Sequence, residues 1–285
     1  MFVVASTPTR VFSVIAAAIS ACGSTTGTTS TPCAVATSRT TSSPIAVAVL
    51  QAITTSFTPR SSSFSVIRAI AELLLGGRAK LLVIACNTAT SIGADVAREV
   101  AAEHGVEVVP VVEPQAEIAA AITDNARVGV LATTNTVESG AYRRALEAEG
   151  RGLDVIEVAA PRLAPFIQDG SLFDEETMEM ARGYCAPLRE AEVDTLILGC
   201  THYPLVAPML QRILGRNVRL VSGGHAVAAA AQRTLERSGL ARERDEEGTY
   251  EFFCTGPVSS FGEVATRFLQ MPLGEVRQVE FSVPA

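Results

Sequence analysis

From Ser65 onward the chain alternates two kinds of pattern. Short apolar runs, rich in Val, Ile and Leu, cover residues 80–85, 106–112, 127–132, 154–158, 192–199 and 218–221. Runs of that length, bounded by polar or turn residues, predict strands buried on both faces. Between them, apolar residues recur at three- and four-residue spacing over 66–75, 92–105, 116–124, 139–150, 173–190, 206–214 and 225–238, which predicts helices. Gly76-Gly77 closes the first of these. A strand at 250–254 and a helix near 260–269 complete the reading. Strands alternating with helices in this way predict an α/β architecture with mostly parallel sheets. We expect two similar lobes, about 1–109 plus 221–285 and about 110–220, with the active site in the cleft between them.

Two of the predicted strands end alike. Ile84-Ala85-Cys86-Asn87-Thr88-Ala89-Thr90 and Leu198-Gly199-Cys200-Thr201-His202-Tyr203-Pro204 each place a thiol where a buried strand gives way to small polar residues. Ligands of open α/β sheets gather at that carboxyl edge. A thiolate is a base as well as a nucleophile, and its pKa falls at a helix amino terminus. Two thiols on opposite faces of an amino acid can exchange its α-proton, one as thiolate and the other as thiol. His202 stands two residues beyond Cys200, placed to set the protonation of that thiol. Amides and side chains of Asn87, Thr88 and Thr201 can receive carboxylate oxygens.

Blander readings compete. A lone cysteine after an apolar strand is most often a small buried hydrophobe; the matched pair shifts the balance to chemistry. Cys86 with Cys200 and His202 is a conceivable metal site, but no further close Cys/His pair supports it. A cysteine hydrolase using His202 or His225 is disfavoured, because residues at i and i+2 rarely form a nucleophile–base pair. Cys22, Cys33, Cys185 and Cys254 read as structural, and His104 carries no signal.

Composition narrows the field. A formal charge of -7, 5% aromatic residues and no Trp argue against nucleic acid as a partner. Six cysteines without a Cys-x-x-Cys pair read as mostly free thiols. Lys80 is the only lysine in the chain, which argues against a pyridoxal phosphate Schiff base. No cofactor and no metal are expected.

Residues 1–65 differ from the rest. The first acidic residue is Glu72, the only charges before Ser61 are Arg10, Arg39 and Arg60, and Ser and Thr crowd the stretch after Cys22. Three readings fit: a lipoprotein signal with a lipidated Cys22, a poorly folded extension, or an out-of-frame translation of an ordinary amino terminus. The last is preferred.

The two cysteine motifs resemble the two signatures of the glutamate racemases, within the aspartate/glutamate racemase family. Gly129-Val130-Leu131-Ala132-Thr133, Thr136 and Ser139-Gly140-Ala141-Tyr142 are similar to that family's middle segment. The likeness runs over about residues 66–281. A histidine two residues after the second cysteine resembles the glutamate rather than the aspartate enzymes. The resemblance implies cofactor-independent racemisation of L-glutamate to D-glutamate, supplying peptidoglycan synthesis, by a cytoplasmic homodimer without membrane or nucleic-acid partners. It implies Cys86 and Cys200 as the catalytic thiols, and Asn87, Thr88, Thr201 and His202 as substrate contacts. Two features of the family's pattern are missing. No Asp-Ser-Gly turn or later Tyr-Gly pair precedes Cys86, and Gln168 stands where the family carries a glutamate. The alternatives are therefore a racemase-like ligand-binding protein without turnover and a lipid-anchored surface protein.

Overall fold

The computed structural model describes residues 46–50, 60–76, 79–241, 252–255, 257–259 and 275–280, with side chains from Ser63 onward. The lipoprotein and frame-slip readings, Cys22, Cys33 and the helix expected near 260–269 lie outside the described residues.

Strands β1 (Ala46–Leu50), β2 (Ala79–Ile84) and β3 (Glu107–Pro110) form a parallel sheet in that order. Strands β4 (Arg127–Ala132), β5 (Asp154–Ala159), β6 (Thr195–Gly199) and β7 (Arg219–Ser222) form a second parallel sheet, ordered β5-β4-β6-β7. A small parallel pair joins β8 (Phe252–Cys254) to β9 (Val276–Gln278). The β1 strand falls inside the segment read as atypical, yet it pairs along the edge of β2. Parallel strands need crossovers, and the helices supply them.

Helix α1 (Arg60–Gly76) turns Ile67, Ile70, Ala71 and Leu74 to the core, all fully buried at helical spacing. It packs on β2 and on α2 (Asn87–Glu103). Helices α3 (Val112–Ile122), α4 (Thr134–Ser139) and α5 (Ala141–Ala148) follow. The helix expected over 139–150 is α5, which starts at Ala141, and α4 is a further helix before it. Gly140 adopts a left-handed φ of 65° and breaks the chain direction between α4 and α5, a conformation that glycine reaches without penalty. The threonine-rich stretch after β4 is helical from Thr134.

Helices α6 (Leu163–Gln168), α7 (Glu175–Glu190) and α8 (Ala207–Leu214) cover the opposite face of the second sheet. Side-chain alternation along β4 and β6 divides the two faces. Val128, Val130, Ala132 and Ile197 join the core shared with the first sheet, whereas Leu131, Leu196 and Leu198 join the core under α6–α8. Helix α9 (Gly223–Arg237) follows β7 and returns to pack on β3 and α3.

The amino-terminal end of the second sheet is pinned by Asp194. Its carboxylate accepts hydrogen bonds from Thr123 Oγ1 at 2.7 Å, Asp124 N at 2.7 Å, Asn125 N at 2.9 Å and Thr195 Oγ1 at 2.9 Å. The turn between α3 and β4 is thereby tied to β6, and the carboxyl ends of the strands lie at the opposite edge, where both cysteine turns sit.

Candidate active site

Cys86 follows β2 by one residue and caps α2. Its backbone is extended (φ -81°, ψ 121°) and its Sγ accepts a hydrogen bond from Ala89 N at 3.4 Å. The helix therefore begins at Asn87, five residues before the apolar periodicity marks it. A thiol at this position feels the partial positive charge of the helix terminus, which favours the thiolate.

Cys200 directly follows β6 and leads into a short 3-10 turn, Tyr203–Val206. It caps no helix, so the two turns are alike in sequence but not in backbone. Burial pushes the Cys200 thiol up to about 12; the backbone N–H of His202 pulls the other way, and negative charge on Cys86 pushes further up. The Thr201 hydroxyl and amide also favour the thiolate, by less. The two thiols, from two different sheets, thus lie within each other's electrostatic reach. Both are buried.

His202 Nδ1 lies 3.5 Å from Cys200 Sγ. Burial lowers its pKa to about 4, so the imidazole is neutral at pH 7 and cannot hold a thiolate as an ion pair. With Nδ1 carrying the proton, it donates weakly to sulfur. Among the described residues its Nε2 is buried without a hydrogen-bond partner. His202 therefore acts on the thiol mainly through its main-chain amide, which outweighs any charge on its ring. The Oε1 of Gln168, at the end of α6, is also buried without a partner among the described residues, and α6 packs on the 3-10 turn after His202.

The remaining predicted residues split between two networks. Thr88 Oγ1 lies 3.0 Å from Thr133 Oγ1 and 3.2 Å from Thr136 Oγ1, and the last two are 3.0 Å apart. Three hydroxyls from the first turns of α2 and α4 so form a ring whose protons can rotate toward an anion. Asn87, by contrast, is committed inward. Its Nδ2 donates to Gln115 Oε1 at 2.7 Å and to Tyr142 OH at 2.6 Å. Thr201 is buried beside Cys200.

Gln115 was not singled out by sequence reasoning. It is the polar residue on the otherwise apolar buried face of α3, among Val112, Ala116, Ala119 and Ala120, and that break in the pattern is a readable signal. His225 is exposed, with its Nδ1 3.4 Å from Ser222 Oγ. Cys185 and Cys254 are buried core residues. Among the described residues no three His, Cys, Asp or Glu side chains converge as a metal needs. Among the same residues no helix is long and apolar enough to cross a membrane.

Residues 37–231 match the Asp/Glu/Hydantoin racemase family. The chain is 41% identical over 212 residues to a glutamate racemase of Mycobacterium tuberculosis, covering 74% of this chain and 77% of that one. It is 34% identical over 208 residues to a glutamate racemase of Bacillus cereus, covering 73% and 76%. Its fold superposes on the crystal structure of glutamate racemase isoform RacE1 from Bacillus anthracis with a TM-score of 0.72 and 30% identity, covering 79% of this chain and 83% of that one. With two paired thiol turns, parallel sheets and these likenesses, the chain belongs to the Asp/Glu/Hydantoin racemase family, among the glutamate racemases.

Proposed function

We infer that the protein interconverts L- and D-glutamate, supplying D-glutamate for peptidoglycan, with Cys86 and Cys200 as the two proton-transfer groups. The observation that carries this reading is the placement of two buried thiols at the carboxyl ends of β2 and β6, near enough that negative charge on Cys86 raises the Cys200 thiol. Such a pair holds one thiolate and one thiol, the state that inversion at Cα requires. Cys200, pushed up to about 12, is the resting thiol. Cys86, whose sulfur accepts from Ala89 N at the amino terminus of α2, is the partner we assign as the base.

In one direction Cys86 removes the α-proton and becomes a thiol. The electron pair left on Cα spreads into the α-carboxylate. Cys200 then delivers its own proton to the opposite face and becomes the thiolate. The reverse reaction exchanges the two roles, and proton exchange with solvent resets the pair. The hydroxyl ring of Thr88, Thr133 and Thr136 supplies donors for a substrate carboxylate, which lowers the α-proton's acidity barrier by stabilising the developing charge. Thr201 and neutral His202 line the Cys200 side, and Asn87 supports the Cys86 side. We further propose lobe boundaries near 110 and 221, a homodimer, and a cytoplasmic location, where thiols stay reduced.

The test is glutamate in heavy water with the purified full chain. The expected result is inversion with deuterium entering Cα of the product. Cys86→Ser and Cys200→Ser should each abolish inversion while retaining substrate binding. Inversion at the wild-type rate by either variant would refute the two-thiol mechanism.

A further inference from the structure

The two thiols stand on separate sheets, so their separation depends on whatever joins the carboxyl edges. One side chain does so directly. Gln115 is fully buried on α3. Its Nε2 donates to Leu198 O at 3.3 Å and to Val221 O at 3.2 Å. Its Oε1 accepts from Asn87 Nδ2 at 2.7 Å and from Tyr142 OH at 2.5 Å. A primary amide offers two donors and two acceptor lone pairs, and here all four are used.

The partners matter more than the count. Leu198 lies two residues before Cys200, at the last register of the β6–β7 ladder. Asn87 is the residue immediately after Cys86 and the first of α2. Val221 belongs to β7, and Tyr142 to α5 over the second sheet. We propose that Gln115 is a positioning residue that sets the separation and alignment of the two thiols by bolting the Cys86 turn to the Cys200 strand. Tyr142, fully buried, feels charge on both Cys200 and Cys86, which places the network between the two turns.

The inference rests on the two-thiol reading of the site. If Gln115 fixes the spacing, loosening it leaves each thiol able to take a proton but lets the opposite thiol miss the carbanion. Protonation then returns from the face that was deprotonated. Deuterium enters the recovered substrate without inversion, after the thiol has exchanged its proton with solvent. A displacement of about 1 Å can reduce rates about a hundredfold.

The experiment compares Gln115→Met with wild type in heavy water, measuring deuterium in recovered substrate against inversion for each enantiomer. The expected result is a ratio of exchange to inversion raised about tenfold or more, with kcat for inversion falling more than KM changes. A folded Gln115→Met protein whose ratio of exchange to inversion matches that of wild type would overturn the proposal. Should Gln115→Met fail to fold, Tyr142→Phe removes a single donor from the same oxygen and must shift the ratio in the same direction. An unchanged ratio there overturns the proposal as well. A wild-type protein that neither exchanges nor inverts would instead refute the two-thiol reading, and this inference with it.

Discussion

Gly199 immediately precedes Cys200, and replacing it with alanine tests how tightly the second thiol is held. A Cβ added there would meet Ala132 Cβ at 2.8 Å, Leu131 O at 3.1 Å and the Tyr142 ring at 3.1 Å. Carbon atoms pack at about 3.5–4.0 Å, so the first contact is short by roughly 0.7 Å or more. Two of the three neighbours are β4 backbone or its Cβ, and the third is a fully buried ring held by hydrogen bonds. None is a flexible side-chain end. The strain must therefore pry β6 from β4 at the edge that carries Cys200. Overpacking of this kind costs about 1–3 kcal/mol in stability. Displacement of the thiol by several tenths of an ångström is expected to lower kcat/KM by about tenfold to a hundredfold. Gly129→Ala is the control. Its Cβ would meet Leu188 Cδ2 at 2.8 Å, Leu196 Cδ1 at 3.1 Å and Val193 Cγ2 at 3.3 Å, all ends of side chains that can turn aside. It should lower stability with the rate intact. Chemical denaturation and racemisation rates on both variants decide the matter. Gly199→Ala with wild-type kcat/KM and less than about 0.5 kcal/mol lost would refute the reasoning.

Two further outcomes concern stability. Ala126 holds a left-handed φ of 62° in the turn before β4. That conformation costs a non-glycine residue about 1–2 kcal/mol, against about 0.5–1 kcal/mol of extra unfolded-state entropy for glycine, so Ala126→Gly should raise stability by about 0.5–1 kcal/mol in urea denaturation; a loss would show that the alanine methyl matters in packing. Burial lowers the His202 pKa from 6.5 to about 4, so the folded protein resists the proton that the unfolded chain accepts. The stability it contributes is complete above pH 6.5 and is lost as pH falls toward 4, about 3 kcal/mol in all. Denaturation at pH 7 and pH 4.5 should show a smaller difference in His202→Gln than in wild type, and equal differences would argue against a buried neutral imidazole.

The strands were the most legible part of the chain. The β4 run at 127–132 is bounded by charge and threonine and coincides with the strand, because a strand buried on both faces needs unbroken apolar residues. The thiol turns were legible for a related reason: polar residues directly after such a run mark the carboxyl edge. The start of α2 was not, since Asn87-Thr88-Ala89-Thr90 lacks apolar periodicity and the helix is begun by a cysteine cap. The short helix α4 was not legible either, since Thr134-Asn135-Thr136-Val137 are poor helix formers. Least legible was the Gln115 network, whose partners lie 28, 27, 83 and 106 residues away along the chain. Local pattern can mark a buried glutamine as odd, but only the fold says which carbonyls it joins.

The four cysteines described in the structure are all less than a tenth exposed, the two in the site at 4% and 7%. Sulfur oxidation needs both contact with the oxidant and thiolate character. The resting protein denies peroxide access to all four thiols, and at Cys200 it withholds the thiolate as well. Burial alone guards Cys86, whereas Cys200 is guarded by burial and by its proton together, so oxidation of the pair should begin at Cys86.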